Sequence, residues 1–75
     1  MNAASVHKSE RLQRVLHLLQ WARDIGKPWL STRFIIHHAN VCAVNSCISE
    51  IRANGFRVDK RRLTGNIYEY RLEEK

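Results

Sequence analysis

The spacing of apolar residues changes once along this chain, at Asn54-Gly55, and that change limits the folds open to it. Before it, apolar residues recur at three- and four-residue steps, the period of an amphipathic helix. After it, from Phe56 and Val58 onward, they alternate, the period of a strand. Asn followed by Gly is itself a strong helix stop, because both tolerate the left-handed conformation just past a helix end. The segment it closes, residues 41–55, reads as a short helix with two unlike faces. Val41, Val44, Cys47, Ile48 and Ile51 share one side and can be buried. Ala43, Asn45, Ser46, Ser49 and Arg52 share the other. A plain solvated face is usually covered with Lys and Glu. This one carries only Glu50 and Arg52 as charges, and its side chains are mostly short. Such a face suits close approach to a surface that is itself rich in hydrogen-bonding groups.

Two further helices precede it. Ser9 is an N-cap with Glu10 in the first turn, where the helix dipole favours a negative charge. Leu12, Val15, Leu16, Leu19 and Ala22 then form one stripe with Leu18 beside it, predicting a helix over residues 9–25. Gly26 stops it and Pro28 prevents its resumption. Residues 27–30 read as an extended link. Ser31 or Thr32 caps a second helix over residues 33–39, with Phe34, Ile35 and His38 candidates for its inner side. Asn40 suits the left-handed residue of a tight interhelical turn. Beyond Gly55, residues 57–63 and 67–72 read as two strands joined by Thr64-Gly65-Asn66. Alternation puts Tyr68, Tyr70 and Leu72 on one side and Ile67 on the other. It also puts Lys60 and Arg62 together, with Arg61 opposite. A lone hairpin is marginal in water, so it must pack on the helices. Residues 1–8 read as a flexible tail, residues 9–72 as the domain and residues 73–75 as frayed.

Seventy-five residues make one small domain with a compact core and modest stability. Thirteen Lys and Arg against seven Asp and Glu leave a formal charge of +6, which attracts phosphate-rich partners or anionic surfaces. No apolar run approaches the roughly 18 residues of a membrane span, and the N-terminus lacks the apolar core of a secretory signal. The expected location is the cytoplasm. Cys42 and Cys47 are about 500° apart around a helix, so their side chains diverge and both read as free thiols. With His37 and His38 they invite a zinc reading, but the ligands would straddle a helix end, a turn and a second helix, away from the usual paired spacing. No metal or cofactor is expected. There is no Gly-rich phosphate loop, nucleophile elbow or carboxylate pair, so an enzyme is not expected either.

Helix, helix, helix, hairpin, with a short turn between the second and third helices, is a helix-turn-helix followed by a wing. Over residues 12–72 the chain resembles the winged helix-turn-helix domain of small phage and prophage proteins. Ile48-Ser49-Glu50-Ile51-Arg52-Ala53-Asn54-Gly55-Phe56-Arg57-Val58 is similar to that family's I-x-E-L-R-x-x-G-aromatic-x-I segment. Tyr68-Glu69-Tyr70-Arg71-Leu72 is similar to its Y-x-Y-R-L strand. Asn40 departs from the Gly often found in the turn, and the two cysteines are not a family feature. The expected fold is mainly α with a small β-hairpin, three helices plus wing. The resemblance implies binding to double-stranded DNA, as a transcriptional regulator or recombination accessory factor.

The residue types agree with that partner. A helix fits the major groove, where base edges present a readable donor and acceptor code. Ala43, Asn45, Ser46 and Ser49 lie toward the start of the third helix, from which base contacts normally come, and Asn45 can pair bidentately with adenine. Arg52 can reach guanine or phosphate. Ser31, Thr32 and Arg33 open a helix whose free amides suit a phosphate. Arg61, Arg62, Thr64 and Asn66 can follow the backbone from the hairpin. On this reading Asn45→Ala loses preference for one sequence, while Arg61→Ala weakens all DNA about equally. A domain this small reads few base pairs, so a homodimer on DNA is one expectation. The rival is a module that binds a host protein through its basic face. For each residue the plain structural role competes: a solvated helix face, an ordinary cap, or a strand edge protected by charge.

Overall fold

In the computed structural model, residues 8–73 are described; the expected tail, apart from Lys8, and residues 74 and 75 lie outside them. The described residues form three helices and one three-stranded antiparallel sheet. Helix α1 spans Glu10–Asp24, strand β1 Leu30–Ser31, helix α2 Thr32–Ala39, helix α3 Val44–Ala53, strand β2 Val58–Thr64 and strand β3 Ile67–Leu72. Strand β3 lies between β1 and β2.

Helix α1 begins where the Leu12 amide donates to Ser9 Oγ and ends at Ile25, with Gly26 at φ +80°. Its predicted stripe, Leu12, Val15, Leu16, Leu19 and Ala22, is buried in full. Each of the larger members contributes about 1.5–3 kcal/mol by leaving water. From α2 the core takes Ile35 and Ala39, and from α3 Val44, Cys47, Ile48 and Ile51. The sheet closes it with Leu30, Val58, Tyr70 and Leu72. His38 is not part of this core. Ile35 and Ala39 take the inner stripe of α2, which leaves His38 exposed against Phe34, ring centroids 4.1 Å apart.

Four segments differ from the sequence expectation. The link at 27–30 ends in a strand, with Leu30 opposite Tyr70 and Ser31 opposite Glu69. Two residues are too few for alternation to reveal. Ser31 also caps α2, its Oγ accepting from the Phe34 amide at 3.1 Å, so β1 passes directly into the helix. Helix α3 starts at Val44 rather than at residue 41. Asn40 has φ 53° and ψ 52°, as expected, but Val41 is buried from within the turn. A turn residue dipping into the core three positions before Val44 imitates the helical period. In the hairpin, Thr64 belongs to the strand, opposite Ile67, and only Gly65 and Asn66 turn; Leu63 is bulged out between Arg62 and Thr64. Glu73, expected to fray, is tied down by its amide, which donates to the Arg57 carbonyl at 2.8 Å.

Candidate nucleic-acid interface

The hairpin carries two chemically different faces. Strand register places Lys60 opposite Tyr70, Arg61 opposite Glu69 and Arg62 opposite Tyr68. On the outer face the charges cancel. Arg61 pairs with Glu69 at 2.7 Å and lies 4.1 Å from the Trp29 ring centroid. Arg71 pairs with Asp59 and covers the same ring at 4.8 Å. Trp29 lies half-buried among these pairs on the sheet's outer face.

The inner face is different. Lys60 has its ammonium 4.4 Å from the Tyr68 ring centroid and 5.9 Å from that of Tyr70. The Arg62 Nε donates to the Gly65 carbonyl at 2.6 Å. Among the described residues, neither Lys60 nor Arg62 has a carboxylate partner, and Arg33 at the start of α2 has none. Uncompensated positive charge therefore collects on this side of the hairpin and beside it, available to an incoming anion.

That side borders a cleft of about 490 Å³ between the starts of α2 and α3 and the hairpin turn. Thr32, Cys42, Ala43, Val44, Asn45, Ser46, Asn66, Tyr68 and Tyr70 line it. The geometry brings together five of the sequence-chosen residues, Thr32, Ala43, Asn45, Ser46 and Asn66, from three separate segments. The Thr32 hydroxyl donates to the Tyr68 carbonyl at 3.3 Å, joining α2 to β3 under the cleft. Tyr70 is buried to 1% exposure, and its hydroxyl donates to Asn45 Oδ1 at 2.5 Å. Ala43, at the cap of α3, offers no side-chain hydrogen bond to the helix start. The first-turn amides consequently lack a side-chain acceptor and leave a partial positive charge at the cleft.

The remaining chosen residues divide. Ser49 is exposed one turn beyond Asn45 on the same face of α3. Arg33 is exposed next to Thr32, and Thr64 is exposed beside the turn. Ser31 is half-buried and occupied as a cap. Arg52 donates from both Nε and Nη2 to the Val58 carbonyl, at 3.0 and 2.6 Å. Arg61 is held on the outer face, away from the cleft. Lys60, Tyr68 and Tyr70 were not chosen from the sequence. The alternation was visible there, but only the two-residue turn sets which basic residue meets which tyrosine.

Two other surfaces could compete as sites. A groove of about 620 Å³ is lined by Arg23, Asp24, Arg57, Glu73 and their neighbours. Its charges neutralise one another, at 3.8 Å for Arg23–Asp24 and 3.4 Å for Arg57–Glu73, so it offers little to a charged ligand. Near α2, Trp21 stacks parallel to Phe34, with centroids 6.3 Å apart. Cys42 is exposed, Cys47 is buried and both are free. Among the described residues, no three His, Cys, Asp or Glu are grouped to hold a metal ion, and no helix is long and apolar enough to cross a membrane. No protein-family model matches the chain, and neither a curated protein nor a solved structure matches it.

Proposed function

We propose that this chain is a small winged helix-turn-helix protein that binds double-stranded DNA. Helix α3 enters the major groove, and the β2–β3 hairpin lies as a wing along the adjoining backbone. One observation carries the reading: the hairpin's cations without carboxylate partners, Lys60 and Arg62, share the face that borders the uncharged, hydrogen-bonding start of α3. Phosphate contacts position a protein and base contacts specify its site. The two requirements fall here on adjoining surfaces, with Arg33 adding a third cation beside the first turn of α2. The short side chains of Ala43, Asn45, Ser46 and Ser49 allow the helix backbone to approach base edges closely. The resemblance of residues 48–58 and 68–72 to phage and prophage winged domains suggests a transcriptional regulator or a recombination accessory factor.

The test is a random-sequence selection on duplex DNA, followed by binding across a salt series. Enrichment of a motif supports the reading, together with a log–log salt slope of about −0.9 for each phosphate contacted. No binding at low salt rejects it, and binding without any preferred sequence removes base reading by α3 from it. A protein-interaction reading, through an apolar ridge instead of the basic face, is favoured by one surface: Trp21 and Ile25 are 48% and 51% exposed, next to Phe34. A partner captured through that ridge, unaffected by Lys60→Gln, would support it.

A further inference from the structure

The contact between Tyr70 and Asn45 bears on which base this surface selects. Bidentate pairing with adenine uses both ends of an asparagine amide: the oxygen accepts from N6 and the nitrogen donates to N7. In this protein one of that oxygen's two lone pairs is already engaged and the oxygen is turned toward Tyr70, which donates to Asn45 Oδ1 at 2.5 Å from the floor of the cleft. A phenol hydroxyl is a stronger donor than acceptor, and an amide oxygen is a strong neutral acceptor. The pairing therefore turns Oδ1 inward and Nδ2 outward. Asn45 is exposed and is the second residue of α3, where a recognition helix meets base edges.

We propose that Tyr70 makes Asn45 a donor-only reading group whose preferred base is guanine rather than adenine. This rests on the DNA-binding reading and deepens it. Guanine is the base that presents two adjacent acceptors, N7 and O6, in the major groove, whereas adenine sets a donor beside its N7. An outward amide nitrogen is satisfied by the first edge and faces a like donor on the second. Tyr70 is a positioning residue here: it does not touch the DNA, and it acts through the amide it orients.

Random-sequence selection with four proteins tests this. The wild type should enrich guanine at one position, and Asn45→Ala should lose the preference there. Tyr70→Phe keeps the buried ring but frees Oδ1. It should lower the guanine-to-adenine ratio at that position by about fivefold or more, within the range that one base-specific pair supplies. Asn45→Asp replaces the outward donor with an acceptor at an exposed position and should turn the preference toward cytosine, whose N4 donates. This variant keeps Tyr70 and the core intact. Adenine at the Asn45-dependent position of the wild type, or a guanine preference unchanged in both Tyr70→Phe and Asn45→Asp, overturns the proposal while leaving DNA binding in place. If no protein of the four enriches any motif, this proposal falls, and the DNA-binding reading falls with it when duplex DNA is not bound at low salt either.

Discussion

The Arg52 guanidinium clasps the Val58 carbonyl with two hydrogen bonds, from Nε at 3.0 Å and Nη2 at 2.6 Å. The last turn of α3 is thereby fastened to the first residue of β2 across the Gly55 turn, where φ is +95°. Both donors face the protein's own backbone, so Arg52 ties the helix to the hairpin. Arg52→Ala should cost about 1–2 kcal/mol of stability, since it leaves a strand carbonyl without its charged donor. Arg52→Lys should recover only part of this, because an ammonium lacks the planar fork. Urea unfolding gives the magnitude. Hydrogen exchange should show the β2 amides opening faster in both variants while those of α1 change only with the global stability.

Lys60 and Arg61 are neighbours in sequence and opposites in role. Lys60 is on the hairpin face toward the cleft without a carboxylate partner, whereas Arg61 is neutralised by Glu69 and stacked on Trp29. The sequence alone points to Arg61 as the general backbone contact; the register moves that expectation to Lys60. Lys60→Gln should weaken binding to all DNA sequences about equally and flatten the log–log salt slope by about 0.9. Arg61→Gln should leave the slope unchanged and lower stability by less than about 1 kcal/mol, as for an exposed pair. Equal loss of slope in the two variants would show that both hairpin faces meet the DNA.

The contrast between these two residues shows where the sequence was legible. Period alone located every buried residue of α1 and α3, because a single helix face determines which side chains leave water. It also placed Lys60 with Arg62 and Tyr68 with Tyr70. It could not join the two sets, since cross-strand pairing depends on a turn of two residues, and Thr64 could be assigned to the turn or the strand. Leu30 and Ser31 were hidden for a related reason. Their strand character comes from the Tyr70 and Glu69 backbone, far along the chain, and not from local alternation. Val41 misled because tertiary burial supplied an apolar position where the backbone had not yet become helical. Asn45 could be nominated by type and position, but the state of its oxygen was set by a hydroxyl 25 residues away.

Arg11 connects α1 to α3. Its Nη2 donates to Glu50 Oε2 at 2.7 Å and its Nη1 to Cys47 Sγ at 3.1 Å. The Glu50 hydrogen bond is the largest cause raising the guanidinium pKa above its ordinary value, and the Cys47 sulfur adds to it. A raised folded-state pKa contributes stability that is fully present below the unfolded-state pKa and is lost as pH rises through the folded-state pKa. For arginine that loss lies far above neutrality. Arg11→Met should therefore cost about 1 kcal/mol, modest because both partners are partly exposed. Between pH 6 and 9 the cost should not vary on account of Arg11. Thermal unfolding of both proteins across that range checks it, and a cost that disappears by pH 9 would rule out this origin.

The turn between α2 and α3 depends on Asn40, the one non-glycine residue with positive φ among those described. Its backbone, at φ 53° and ψ 52°, lies in the left-handed region that costs an ordinary residue roughly 1–2 kcal/mol and asparagine less. Asn40 is exposed, so its side chain contributes little packing and the backbone conformation dominates the effect of substitution. Asn40→Ala should destabilise by about 1 kcal/mol, a fall in Tm of about 4–8 °C for a domain this size. Asn40→Gly should be neutral to slightly stabilising, because relief of the left-handed strain offsets the extra freedom of the unfolded chain. The two variants differ in the turn rather than in the cleft or on the face of α3. Their DNA affinities, measured where both are fully folded, should consequently agree within about twofold, while their melting temperatures separate. A loss of affinity in folded Asn40→Ala alone would mean that the turn also tunes how α3 is presented.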